Sequence, residues 1–275
     1  MTHAFTVDVE DWFQVQAYAG VIRPDSWDSF PRRVEANTDR ILALCDAAGV
    51  HGTFFVLGWV AERHPALVRR IAAAGHEIAS HGQMHQRVDG QDAASFRADV
   101  AHARALLEDL TGSAVRGYRA PTFSVGSIRT PWAWEVLAET GHAYSSSLYP
   151  VRHDLYGEPD APRAPHRRGP LWEVPMTVLD VRGRALPVSG GGWFRLVPYA
   201  LYRRALARVG AQGRAGLFYT HPWEIDPGQP AVPAAPLRSR LRHRIGLGRA
   251  EARLARLLRD FAWDRVDRVF PQVAS

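Results

Sequence analysis

The chain contains no lysine: all 34 of its basic side chains are arginine, set against 28 acidic ones for a formal net charge of +6. It has a single cysteine, Cys45 in the apolar run ILALCDAAG, so no internal disulfide framework can form and that thiol reads as buried filler. No window is long and apolar enough to span a bilayer, and the opening MTHAFTVDVEDWF lacks the basic-then-apolar pattern of a secretory signal. The expectation is a cytoplasmic protein with no transmembrane segment. No internal repeat is visible. What is present is ordinary for one globular unit of barrel size: 275 residues, 46% apolar and 23% charged. The arginines gather late, in LRSRLRHRIGLGRAEARLARLLRD, interleaved with Leu241, Ile245, Leu247, Leu254, Leu257 and Leu258. An amphipathic helix with a solvated arginine face accounts for that run, and no nucleic-acid partner is expected.

Short apolar runs alternate with helical patterns. AFTVDVE, HGTFFVLG, HEIASH, VRGYRAP, LWEVPMTVLDV and GLFYTHP have strand character. VEANTDRILALCDAAG reads as a helix closed by Gly49, and ALVRRIAAAG, WAWEVLAETG and PYALYRRALARVG as further helices. DAASFRADVAHARALLEDLTG carries Phe96, Val100, Ala103, Leu107 and Leu110 at helical spacing before Gly112. Such alternation predicts a parallel sheet covered by helices, closed or nearly closed into a barrel. Two proline-rich stretches read as a surface loop (156–170) and an extended connection (226–236). The expected division is a barrel over 1–236 and a basic C-terminal helical extension, 237–275, packed on it.

In barrels of this kind chemistry gathers where strands end. In TVDVED, Asp8 and Glu10 lie two apart, on the same side of a strand, with Asp11 at its end. Three carboxylates there repel one another unless solvated at a rim or joined by a cation. SHGQMH sets His81 and His85 four apart, one helical face if the segment is helical. Arg119 and Pro121 end a strand in GYRAPTF, His221 ends another in FYTHPWE, and YSSSLYP (144–150) is a polar run after a helix. Together these supply parts for metal-assisted hydrolysis. The zinc-protease pattern HExxH is excluded, because Gly82 stands where its glutamate would be.

These motifs, with TFFVLGWVAERHPALVRRIAAAGHEIASHG, EVPMT and SGGGWFR, resemble the NodB-type polysaccharide deacetylases, carbohydrate esterase family four. FTVDVEDWFQV is most similar to the subgroup linked to exopolysaccharide and exosortase loci. The resemblance implies an α/β fold, a distorted, incomplete (β/α) barrel with a C-terminal helical extension. It implies removal of N-acetyl groups from an N-acetylhexosamine-containing polysaccharide or its precursor, with a divalent metal, Zn²⁺. Asp8 matches the family's base; Glu10, with Asp11 as alternative, its carboxylate ligand; His81 and His85 its histidine ligands. Arg119 matches the arginine that orients the base, and His221 the general acid. A backbone N–H of Thr122 or Phe123 would hold the oxyanion. Tyr118, Pro121, Thr122, Phe123 and Trp223 would contact the carbohydrate, and Trp193 offers another flat surface. The sequence departs from the family in DVED, in Gly82 after the first histidine, and near Ser145, where an aspartate partner for Arg119 would be expected. An allantoinase-like amidohydrolase and a non-catalytic glycan-binding scaffold are the competing readings.

Overall fold

The computed structural model describes residues 1–274. The strands are β1 (Thr2–Val9), β2 (Thr53–Val56), β3 (Glu77–Ser80), β4 (Gly117–Tyr118), β5 (Tyr144–Ser145), β6 (His166–Arg168), β7 (Leu171–Glu173), β8 (Val178–Val181), β9 (Arg184–Pro187), β10 (Leu217–Thr220) and β11 (Ala262–Asp264). The helices are α1 (Val34–Ala48), α2 (Gly58–Arg63), α3 (Pro65–Ala73), α4 (Ala93–Thr111), α5 (Ala133–Glu139), α6 (Gly191–Leu196), α7 (Tyr199–Ala211), α8 (Leu237–Arg244), α9 (Leu247–Asp260) and α10 (Val266–Val269).

The main sheet runs β10-β1-β2-β3-β4-β5-β7-β6, with β11 also paired to β1. Within this sheet every pairing is parallel except β6 with β7, and β8 and β9 form a separate antiparallel pair. The described end strands β10 and β6 do not pair, so this is an incomplete barrel. Residues 156–170 are therefore not wholly loop: 166–168 fold back on β7. The C-terminal region is mostly helical but returns one strand, β11, to the sheet.

Parallel strands covered by helices are buried on both faces, and β1 is buried from His3 onward. Its odd residues Phe5, Val7 and Val9 pack toward helices, with Ile41 of α1 and Leu254 of α9. Its even residues turn inward, Ala4 toward Phe55 and Tyr219, and Thr6 and Asp8 toward Arg119. That alternation aims one polar series at the interior. Helix ends follow local chemistry. Asp92 Oδ1 accepts the Ser95 amide at 2.8 Å to start α4, and Gly112 closes it at φ 65°. Gly49 closes α1 at φ 63°. In SGGG, Gly190 (φ 123°) lies so near β10 that a Cβ would sit 2.0 Å from the Tyr219 carbonyl oxygen, so its chain neighbour is the protein's own strand.

Candidate active site

Glu10 leaves the end of β1 pointing inward, two residues after Asp8. His81 and His85 come from the loop after β3, which is not helical: Gly82 (φ 77°) and His85 (φ 51°) take left-handed conformations that turn both rings to the same point. Asp99 of α4 braces this loop, accepting the Gln83 amide at 2.8 Å and the Met84 amide at 3.3 Å. A Cβ at residue 82 would lie 2.8 Å from Asp99 Oδ2, so glycine is required there by both conformation and space.

The result is a group of three ligand atoms, from Glu10, His81 and His85, all within 4.8 Å of one another. His85 Nε2 lies 2.6 Å and His81 Nε2 3.8 Å from Glu10 Oε2. Despite the short approach, that oxygen is buried with no aligned hydrogen-bond donor. Glu10 Oε1 accepts from Trp223 Nε1 at 3.1 Å. His81 Nδ1 donates to the Arg119 carbonyl at 2.9 Å, which assigns its lone pair to Nε2, facing the group. Burial holds the His81 pKa down to about 4, so its ring is neutral, as a metal ligand must be. Glu10 stays ionised: burial opposes this, but the His85, His221 and His81 rings hold its pKa well below the carboxylate range. An orphaned carboxylate oxygen facing two imidazole nitrogens is a donor set suited to a divalent cation.

On one side stands Asp8. Arg119, wholly buried, donates from Nη1 to Asp8 Oδ1 at 2.5 Å and to Thr6 Oγ1 at 2.8 Å. Its remaining donors meet the Ser146 carbonyl and hydroxyl at 3.1 Å each. Each Arg119 nitrogen thus has a partner without an aspartate near Ser145, whose hydroxyl donates to Ser147 instead.

On the other side is His221, its Nε2 3.8 Å from Asp8 Oδ2 and from Glu10 Oε1. Glu224 approaches its Nδ1 at 3.1 Å and accepts from Arg195 Nε at 2.7 Å. Burial alone would lower the His221 pKa; Glu224, Glu10 and Asp8 together raise it to about 9. Burial likewise opposes charge on Glu224, yet Arg195 and His221 hold it ionised, with a pKa of about 2. Glu224 and Arg195 were not foreseen. The three-residue step in HPWE signals the first, since a single tight turn brings such residues together; nothing in WFR signals the second.

A cavity of about 620 Å³ opens over these groups and is lined also by Thr122, Phe123, Trp193 and Tyr219. Three expected residues are placed elsewhere. Asp11 is not in the metal-ligating group: Oδ1 accepts the Trp12 amide and Oδ2 the Arg33 and Val34 amides, at 2.7–3.0 Å, so it caps α1. Tyr118 precedes Arg119 and so faces the opposite side of the sheet, packing on Phe96 and His142. Pro121 is buried and outside the cavity lining. Trp223 does line the cavity, but its ring is flanked by His221 at 5.1 Å and His243 at 4.3 Å, both stacked, so it offers no open face to a sugar. Trp193 is the more exposed aromatic. The Phe123 amide already donates to the Ala120 carbonyl at 3.0 Å, which leaves Thr122 of the two oxyanion candidates. Thr122 (φ 56°) and Phe123 (φ 49°) hold left-handed backbone conformations, a strain common at functional loops.

Residues 26–144 match the family model described as polysaccharide deacetylase, and residues 146–271 match a domain of unknown function, DUF3473. Residues 26–144 thus carry the likeness to the polysaccharide deacetylase family. Asp8 and Glu10 lie ahead of the first matched segment and His221 within the second, and the boundary between the two falls in β5 of the continuous sheet. Among family members, the peptidoglycan deacetylase of Helicobacter pylori is 28% identical over 148 residues, 53% of this chain and 48% of that protein. The chitooligosaccharide deacetylase of Sinorhizobium fredii is 36% identical over 115 residues, 41% of this chain and 49% of that protein. The chain thus spans about half the length of these relatives. The fold matches the crystal structure of a candidate polysaccharide deacetylase from Mycobacterium smegmatis, with a TM-score of 0.63 and 24% identity, over 99% of this chain and 90% of that one.

Proposed function

We propose that this protein is a metal-dependent N-deacetylase, hydrolysing the acetamide of an N-acetylhexosamine in a polysaccharide or its precursor. The observation that carries the reading is the Glu10–His81–His85 group lying between an arginine-bound aspartate and a carboxylate-bound histidine. The deacetylase names of the relatives support the substrate class.

Glu10, His81 and His85 would hold the cation, and one carboxylate with two imidazoles is a donor set that suits Zn²⁺. Once bound, it supplies Lewis-acid polarisation of the acetyl carbonyl and lowers the pKa of a water. Asp8 takes one proton as the water oxygen bonds to the carbonyl carbon. Arg119 aims the Asp8 carboxylate, because its Nη1 is fixed to Oδ1. The Thr122 amide donates to the developing oxyanion. His221 gives its Nε2 proton to the amide nitrogen as the C–N bond breaks, since an amine leaves poorly as an anion. Glu224 and Arg195 hold that ring protonated and oriented. The products are acetate and the free amino sugar.

The test is acetate release from N-acetylated chitooligosaccharides, with and without a chelator, alongside metal content. Asp8→Asn should keep the metal and slow turnover by about 10²–10⁴-fold, the range of general-base catalysis. His81→Ala should lose the metal. Wild-type turnover in both variants would end the proposal, and a metal-loaded parent that cuts no amide would favour the scaffold reading.

A further inference from the structure

The deacetylase reading leaves one surface unused, at the mouth of the cavity. α8 turns His243 inward onto Trp223 and leaves Leu237, Arg238, Leu241, Arg242 and Arg244 exposed, with Ile245 just beyond it. Leu237 is 64% and Leu241 63% exposed, and their four-residue spacing makes one row. Beside it α6 exposes Trp193 (43%) and Leu196 (54%). The two helices form one rim, because Arg195 donates to the His243 and Ile245 carbonyls at 2.8 and 2.6 Å. Scattered exposed leucines need no explanation. Here, of eleven exposed large hydrophobic residues, five fall on this rim, so the patch is local.

Its charge is of one sign. Between Asp226 and Glu251 the chain has five arginines and no acidic residue. Arg238 and Arg242 share one oxygen of Asp154, each at 3.3 Å, while Arg244 bonds to the Gln229 and Pro227 carbonyls, which leave its charge intact. An acidic glycan would satisfy the arginines and gain nothing from the exposed leucines. An anionic bilayer surface satisfies both, with apolar side chains entering the headgroup boundary and arginines meeting phosphates. No helix among the described residues is long and apolar enough to cross a membrane, so the contact lies along the surface.

We propose that α8 and the adjoining end of α6 dock on an anionic lipid surface, turning the mouth of the cavity toward the headgroups. The test is sedimentation of the full chain with vesicles of phosphatidylcholine alone or mixed equally with phosphatidylglycerol. Binding should be about tenfold or more stronger to the mixed vesicles and should weaken as salt rises. The double variant Leu237→Asp/Leu241→Asp should lose about tenfold or more of that binding. Its unfolding midpoint and its acetate release from a soluble chitooligosaccharide should match the parent, because neither leucine lines the cavity. Equal binding to both vesicles, binding to neither, or undiminished binding by a folded double variant would overturn the proposal. So would retention on a soluble acidic polysaccharide without vesicle binding, which assigns the rim to glycan. Vesicle binding needs no turnover, so it can fail or hold independently of the deacetylase reading.

Discussion

At the scale of single residues, the site is a set of charges held in chosen states by their neighbours. Glu224 is the clearest case, since its carboxylate touches His221 and Arg195 but lies outside the metal-ligating group. Glu224→Gln keeps a polar contact and removes the charge that favours protonated His221. Turnover should fall by about tenfold to a hundredfold with metal content unchanged, the scale of losing a supporting hydrogen-bond partner. Parallel measurement of acetate release and bound metal decides it; unchanged turnover would leave Glu224 a purely structural group. Asp8, Glu10, His81, His85, Arg119 and His221 were legible in the sequence because each is a polar residue at or just past an apolar strand, and the structure brings them together. Tyr118 was misread although strand alternation was available: a residue next to inward-facing Arg119 must face outward. Arg195 was not legible, because its partner lies 29 positions away and only tertiary packing joins them.

At the scale of elements, loops carry what regular structure cannot. The histidine spacing suggested a shared helical face, yet two left-handed residues in a loop bring the rings together. The two rings meet through a loop and not through a helix, because ring convergence depends on φ and ψ rather than on spacing alone. Asp11 makes the opposite point: a carboxylate beside a proposed ligand serves a helix. Three amide donors, two of them at the start of α1, converge on it, where the helix dipole also favours negative charge. Asp11→Ala should therefore cost about 1–2 kcal/mol or more of stability, as for a lost N-cap, while metal stoichiometry in the folded protein holds. Denaturant unfolding and metal analysis on the same sample separate the roles, and metal loss at intact fold would return Asp11 to the ligand set.

At the scale of the whole molecule, the end of the sheet remote from the cavity holds a half-buried carboxyl, Glu77. Glu77 accepts from Tyr144 and Thr53 hydroxyls, and burial, with Asp267 nearby, pushes its pKa up to about 7. Between the unfolded carboxyl pKa of 4.5 and about 7 the folded state holds the extra proton, so this group's contribution to stability falls as pH rises through that window. Glu77→Gln should flatten the pH dependence of unfolding free energy there; an unchanged slope would refute the assignment. The alternating strand and helix order was readable over most of the chain, though not at β6 or β11, because local periodicity encodes it. The pairing of β1 was not, since its neighbours β10 and β11 lie more than two hundred residues away. Ala4 pairs with Leu217 on one edge and Asp264 on the other. β1 can pair with β2 early, but its place between β10 and β11 is set only once those strands exist. Asp8 and Glu10 precede these partners in the sequence, so a nascent chain stopped before residue 217 has neither β10 beside them nor His221 across from them. Any hydrolytic competence must wait until β10 and His221 have been synthesised.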